Sequence, residues 1–479
     1  MKKIFLRTAA VWLAAMVGCA SVPDAPAPFP VISQQYSAVQ ARASGPGDLA
    51  PLDEWWRLFK EPYLDRLIAQ ALSESTEARM AMARLREAQA IREAALTQYR
   101  PQGGVRAGGE RRGSRKLGNS LSGAESAAAG LGVNTSASLD MQVSWELDLF
   151  GRGAAHGQQV DGEFRAALYD TYAERAALAA EVARTLFEAQ RLAAALGDAK
   201  ATVSIQTKLR DVLARKVSRG LAPSSEAARV EAGLLSAQAD ELVLEAQLNA
   251  TRRALLVLVG QGDEPLEAVQ VSGLPARAPA LPQGFPAELL VRRPDVLKAR
   301  AQMDAASGSL ELSRLALLPS ITLTPGLGAG WQSQRSVLSS GYWSLAGNVF
   351  LPVLDRPRLL ANAHAQGARA EQAVIGYEQV VQRAFSEADQ AMLRMAPDRQ
   401  RLAALEQAQD HAHAAYESAL KGYGAGFFDL IVVLDAELAY RQSRVALTTA
   451  KAEALGHAVQ VFQALGGGWS PASRQDEKS

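Results

Sequence analysis

The chain has 479 residues, a formal charge of +1 and a single cysteine. Balanced charge with no long single-sign run excludes a nucleic-acid-binding surface, and one thiol excludes an internal disulfide framework. Beyond the N-terminus, no apolar run approaches the ~20 residues that a membrane helix needs.

The N-terminus reads as an export address. Lys2, Lys3 and Arg7 form a positive region, Thr8 to Val17 an apolar core too short to span a bilayer, and Gly18 precedes Cys19. The order Met16-Val17-Gly18-Cys19 resembles a bacterial lipobox, so residues 1–18 are expected to be a lipoprotein signal peptide. Cys19 is then the acylated start of a lipidated segment, 19–50. Several acyl chains, at roughly 0.8 kcal/mol per buried methylene, make such an anchor durable. The alternative is an ordinary signal peptide with an incidental cysteine. Cleavage before Cys19 removes three positive side chains and takes the formal charge from +1 to −2.

Two successive segments, 51–280 and 281–468, carry the same events in the same order: helix, proline, alternating segments, very long helix, glycine turn, returning helix. A shift of 218 superposes Ala81, Ala83, Ala88 and Pro101 on Ala299, Ala301, Ala306 and Pro319. A shift of 206 pairs Gly220 with Gly426 and Glu231 with Glu437. Such a long period marks an internal structural duplication.

In the first repeat, strands are expected at about 101–111 and 136–149. From Ser138 to Asp148 the alternation is strict, with Leu139, Met141, Val143, Trp145 and Leu147 on one face. Asp140, Gln142, Ser144 and Glu146 fall on the other. The Gly- and Ser-rich stretch from Arg111 to Ser136 reads as a solvated connection. A helical hairpin follows over about 153–260, with no proline between Ala154 and Ala222 and a tip near residue 220. A coiled-coil scaffold would account for such helices alone, but not for the strands or the lipobox.

The second repeat has strands at about 319–331 and 342–354, joined by an outer connection from Gln332 to Gly341. Ile321, Leu323, Leu327, Ala329 and Trp331 share one side. Thr322, Thr324 and Asn348 belong with the polar positions. Trp145, Trp331 and Trp343 fall near segment ends, where interfacial aromatics sit. A second hairpin spans about 357–465 with its tip near residue 426 and a kink or break at Pro397. Gly466 to Gly468 read as a helix terminator before a flexible tail, 469–479.

Ten-residue segments of period two fit strands with one face in lipid and one in a wet lumen. A half-buried strand in a soluble sheet is the competing reading. Four strands cannot close, since ~8 are needed for the smallest barrels, so the membrane reading demands oligomerisation. Three copies would give twelve strands, with Asp140, Gln142, Ser144, Glu146, Thr322, Thr324 and Asn348 lining the lumen.

"WWRLFKEPYLDRLIAQAL" (Trp55 to Leu72), "LDLFGR" (Leu147 to Arg152) and "LVRRPDVLKARAQM" (Leu290 to Met303) resemble signatures of outer-membrane efflux lipoproteins. These are the TolC-like exit ducts of resistance-nodulation-division pumps. The second-half counterpart of the second motif, "VLDRPR", lacks the glycine, so that turn must differ. Arg292 and Arg293 read as salt-bridging residues, while Pro294 and Asp295 suit a helix N-terminus. The resemblance implies an α+β membrane protein: a trimeric twelve-stranded outer-membrane β-barrel, four strands per chain, continued by a periplasmic α-helical barrel. It implies a homotrimer that works with a periplasmic adaptor and an inner-membrane resistance-nodulation-division transporter, seated in outer-membrane lipid, without a cofactor or metal. Another tripartite exporter, for type I secretion or metal efflux, and a non-channel coiled-coil lipoprotein are the alternatives.

The turns "SRGLAP" and "GAGFFD" are expected tips, where Gly220 and Gly426 permit positive φ. Arg219, Gly220, Leu221, Gly426 and Phe427 match the family's adaptor-binding position, with Phe428 serving either docking or local packing. Ile431 and Asp435 lie four apart on one helix face. By the family's pattern they point into the tunnel as an apolar ring and an acidic ring that close its periplasmic end. A second acidic position found in some relatives is Val432 here. No catalytic constellation appears: His156, His364, His411, His413 and His457 form no ligand set, there is no phosphate-binding loop, and carboxylate pairs such as Asp435 and Glu437 are common on solvated helices. An enzyme is not expected.

Overall fold

The computed structural model describes residues 50–114, 132–275, 277–279, 292–333 and 337–470. Cys19, the signal region and residues 471–479 lie outside them. In chain order the main elements are α1 (Pro62–Glu74), α2 (Thr76–Leu96), β1 (Gln102–Ser114), β2 (Gly132–Leu147), α3 (Arg152–Ser218) and α4 (Ser224–Leu258). They continue with α5 (Pro294–Leu315), β3 (Ser320–Ser333), β4 (Val337–Phe350), α6 (Arg356–Met395), α7 (Asp398–Gly424) and α8 (Leu430–Ala464). No described helix is long and apolar enough to cross a membrane.

The chain divides into two compact units, and each draws on both halves of the sequence. Among the described residues, one contains Ala88–Phe164 and Ala301–Ile375, and so the whole sheet; the other contains 50–87, Arg165–Arg300 and 376–470.

In the sheet unit, four strands pair antiparallel in the order β1-β2-β3-β4. The register sets Val105 beside Met141, Met141 beside Leu327 and Leu327 beside Trp343. Residues of one parity therefore build a mainly apolar face, which also holds Leu139, Trp145, Leu147, Ile321, Leu323 and Leu345 and ends outward at Arg111, Thr135 and Ser333. The opposite parity collects Arg106, Asp140, Gln142, Ser144, Thr322, Thr324 and Asn348. Pro325 has no N–H to give, and the β2–β3 pairing lapses between Gln142↔Gly326 and Trp145↔Leu323.

The strands run further outward than sequence alternation suggests. β2 begins at Gly132 and β4 at Val337, so part of each expected connection is paired strand. Gly and Ser carry no hydropathy alternation, and only cross-strand pairing reveals them as strand. The earlier start of β4 also moves Trp343 to mid-strand, opposite Leu327, and not to an interfacial end. Trp331 and Trp145 stay toward opposite ends of the apolar face.

Helices α3 and α5 approach until their backbones touch. A Cβ on Gly162 would lie 2.6 Å from the Ala305 nitrogen, and one on Gly308 would lie 2.5 Å from the Gln159 nitrogen. The pairs Ala155/Gly162 and Ala301/Gly308 are each seven residues apart, so the same stripe of each helix meets the other twice.

In the second unit the core gathers Trp55, Phe59, Phe187 and Phe462, with Trp55 stacked on Phe462 at 5.7 Å. On α1, Leu64, Leu67, Ile68 and Ala71 supply an i, i+3, i+4, i+7 stripe to it. Arg292 pairs with Asp53. Arg293 is buried: it donates to Asp295 and Glu387, each at 2.7 Å, and to the Ala464 carbonyl at 3.0 Å. Burial disfavours its charge, but these carboxylates outweigh that and raise its pKa. Trp469, assigned from sequence to the flexible tail, is buried and stacks on Tyr172 at 5.1 Å.

Four helix ends share one geometry. At Gly220, Gly260, Gly426 and Gly466, φ is positive, at 72°, 83°, 78° and 73°. After each glycine, the next N–H reaches back five residues: Leu221 to Lys216, Gln261 to Leu256, Phe427 to Gly422, Gly467 to Phe462. These are Schellman caps, and the 206-residue shift carries the first pair onto the second. The second hairpin departs from the first in one respect: α3 is unbroken over 67 residues, whereas its counterpart is split at Pro397 into α6 and α7. There His457 Nδ1 lies 2.8 Å from Asp398 Oδ2.

Replacing Gly308 by Leu should destabilise the protein by at least the ~1–3 kcal/mol of ordinary overpacking, because the obstacle is backbone. Thermal melts of the detergent-solubilised protein check this; a melting point equal to wild type would show that α3 and α5 separate freely.

Candidate conduction surface and helix tips

The polar face of the sheet leads to a charged anchor at its base. Leu147 ends β2, and the Asp148 carboxylate accepts from the N–H groups of Arg152 at 2.7 Å and Gly153 at 3.0 Å, capping α3. Gly151, with φ of 85°, makes the corner. Arg152 then turns back to Glu146 at 2.6 Å and to the Leu318 carbonyl at 2.8 Å. The "LDLFGR" motif is thus a strand-to-helix corner that locks onto the start of β3. Glu146, expected on the lumen face, is held in this ion pair. In the second half the glycine is missing; α6 starts directly after Asp355, and Arg358 pairs back to it at 3.7 Å.

Asp140, Gln142, Ser144, Thr322, Thr324 and Asn348 share the polar parity. Asp140 accepts a hydrogen bond from the Tyr342 hydroxyl at 2.7 Å. Tyr342 was not among the expected polar positions, although it shares the parity of Asn348, because its polar character lies in one hydroxyl on an aromatic ring.

At the far end of the hairpins, Leu209, Leu213, Val230 and Leu430 form a small core, flanked by Tyr423 and Leu434. Lys216 joins the two hairpins: its Nζ lies 3.0 Å from the Tyr423 hydroxyl and 4.2 Å from the ring centroid. Outside this core, Leu221 is 71% exposed and Phe427 82% exposed. Arg219 is exposed beside them. Phe428 behaves differently: a Cβ on Gly422 would lie 2.2 Å from its ring, so it folds over that glycine. It is still 46% exposed.

On α8, Leu430 and Val433 are buried, while Ile431 and Asp435 are exposed one turn apart on the other side. Glu437 is not on a solvated face: it is buried, and burial raises its pKa against the opposing pull of Arg441. Its spacing from Leu430 and Val433 (i, i+3, i+7) carried that information in the sequence. Tyr416, whose pKa is also raised mainly by burial, senses the Glu437 charge and stacks on Tyr440 at 6.0 Å.

The model of the family described as outer membrane efflux protein matches residues 67–261 and 285–467, one segment in each half. The chain is 28% identical over 476 residues to the pyoverdine export outer membrane protein OpmQ of Pseudomonas aeruginosa, covering 98% of this chain and 97% of that protein. It is 26% identical over 458 residues to the cation efflux system protein CusC of Escherichia coli, covering 95% and 97%. The solved outer-membrane channel OprN superposes with a TM-score of 0.80 at 27% identity, over 95% of this chain and all of that one. A two-faced four-stranded sheet, duplicated helical hairpins and a family match across both halves agree, and the chain belongs to the outer membrane efflux protein family as an outer-membrane channel.

Proposed function

We propose that three copies of the chain close their sheets into one twelve-stranded barrel and conduct small molecules out of the cell for an inner-membrane resistance-nodulation-division transporter and a periplasmic adaptor. The carrying observation is the sheet: one face is apolar, the other polar, and both edge strands are open. In lipid, an open edge leaves backbone groups unsatisfied, and closure with further copies removes it. The polar face, including Gln142, Ser144, Thr324 and Asn348, then lines the lumen. The two repeats, 51–280 and 281–468, each give two strands and one hairpin to every protomer.

The tips meet the adaptor. Support comes from the exposure of Arg219, Leu221 and Phe427 beside rigid Schellman turns at Gly220 and Gly426, since exposed apolar side chains at a tip favour a partner. Photo-crosslinkers at positions 221 and 427 are expected to capture the adaptor, and capture only from positions along the mid-hairpin would refute the assignment.

Ile431 and Asp435 form the constriction. Both are exposed on one side of α8, where threefold repetition gives an apolar ring that excludes water and an acidic ring that repels anions. The double change Ile431→Ala, Asp435→Ala is expected to raise single-channel conductance in planar bilayers. Unchanged conductance and ion selectivity would sink the gate.

Cys19 carries the lipid anchor. The variant Cys19→Ser is expected to lose all incorporation of labelled fatty acid while the barrel still inserts; continued labelling would exclude the anchor.

A further inference from the structure

We infer that Arg106, Asp140 and Tyr342, arranged around Gly328, form a size-selective belt inside the barrel. The inference rests on the reading that the polar face of the sheet is the lumen, and adds the level at which that lumen discriminates.

The register aligns Arg106, Asp140, Gly328 and Tyr342 in a single row across the four strands. The next polar-face row outward holds Gly108, Ser138, Gly330 and Ser340; the next row inward holds Gly104, Gln142, Gly326 and Ser344. Between the Glu110–Arg112 pair at the outer end and Glu146 at the inner end, bulk and charge thus concentrate in one mid-strand row, flanked by rows made almost entirely of Gly and Ser. Three copies would set three arginines, three aspartates and three tyrosines around one circumference. Cation and anion alternate there, so the belt carries no net charge and sorts by bulk more than by sign.

Tyr342 is the adjustable part. Asp140 on β2 and Tyr342 on β4 lie two strands apart, about 9–10 Å between backbones, yet the hydroxyl reaches the Asp140 carboxylate at 2.7 Å. The ring crosses directly over Gly328: a Cβ there would sit 2.4 Å from the ring and 2.7 Å from Asp140 Oδ1. Glycine therefore leaves room for the ring to lie flat along β3, and the hydrogen bond holds it there. Laid on the wall, Tyr342 leaves the bore wide. Lifted from the wall, the same ring would project into it.

The test reads passage past the belt from outside. A cysteine at Thr324, two rows inward, is treated on intact cells with a small and with a bulky membrane-impermeant maleimide; the wild-type chain, with Cys19, is the blank. Small-reagent labelling at Thr324→Cys but not at Leu323→Cys is expected, and the reverse would overturn the lumen reading itself. In the Thr324→Cys background, Gly328→Val is expected to slow bulky labelling by lifting the ring, and adding Tyr342→Ala to restore it. Tyr342→Ala alone, which inserts no atoms, is expected to speed bulky labelling. With small-reagent labelling intact, an unchanged bulky rate in Tyr342→Ala, or a slowing by Gly328→Val that persists without the ring, overturns the belt alone.

Discussion

The two open edges of the sheet are the constraint from which most of the architecture follows. Among the described residues, β1 and β4 each pair on one side only, and the apolar face offers little to water. A soluble protein would cover that face with helices. Here the strands instead stay regular for 13 to 16 residues, and an apolar row of Val105, Met141, Leu327 and Trp343 crosses all four, giving way to Arg111, Thr135 and Ser333 toward the outer end. Membership in a family of outer-membrane channels supplies the resolution: lipid covers the face, and neighbouring strands satisfy the edges. The corner at Asp148, Gly151 and Arg152 belongs to the same logic, because it must turn a strand into a helix without leaving an unpaired polar group at the transition.

Duplication explains how one chain meets this demand economically. Each half repeats the glycine cap at its tip and at its return, so the same carbonyls are satisfied in the same way at four helix ends. The halves meet at Arg292, which pairs with Asp53, while the neighbouring Arg293 ties the start of α5 to α6 and to the end of α8. The Arg293 guanidinium accommodates the carbonyl end of α8, while two carboxylates offset the desolvation of its charge. The Gly466 cap packs directly on that side chain, where a Cβ would lie 3.0 Å from Arg293 Cγ.

What the sequence revealed depended on the side chains that carried the signal. β2 alternates strictly from Ser138 to Asp148, and its faces were legible residue by residue. Gly132 to Thr135 and Val337 to Gly341 were not, because small residues and isolated valines have no face until a neighbouring strand assigns one. Tyr342 shares the parity of Asn348, but an aromatic at the expected strand end carries no polar signal, and only its hydrogen bond to Asp140 across β3 reveals its place. Glu437 was misread by residue type, since a carboxylate suggests solvent even when its spacing places it on a buried stripe. Phe428 needed the backbone, as only the turn geometry shows it lying over Gly422.

The break at Pro397 gives the two hairpins different mechanics. The first has a continuous strut, α3, about 100 Å long, whose bending stiffness resists any local swing. The second has a joint: proline removes a backbone donor between α6 and α7, and the contact of His457 with Asp398 pins that joint from α8. Chemically similar hairpins are thereby turned into a stiff post and a hinged arm. Displacement at the tips will concentrate in the half that carries Phe427, Ile431 and Asp435.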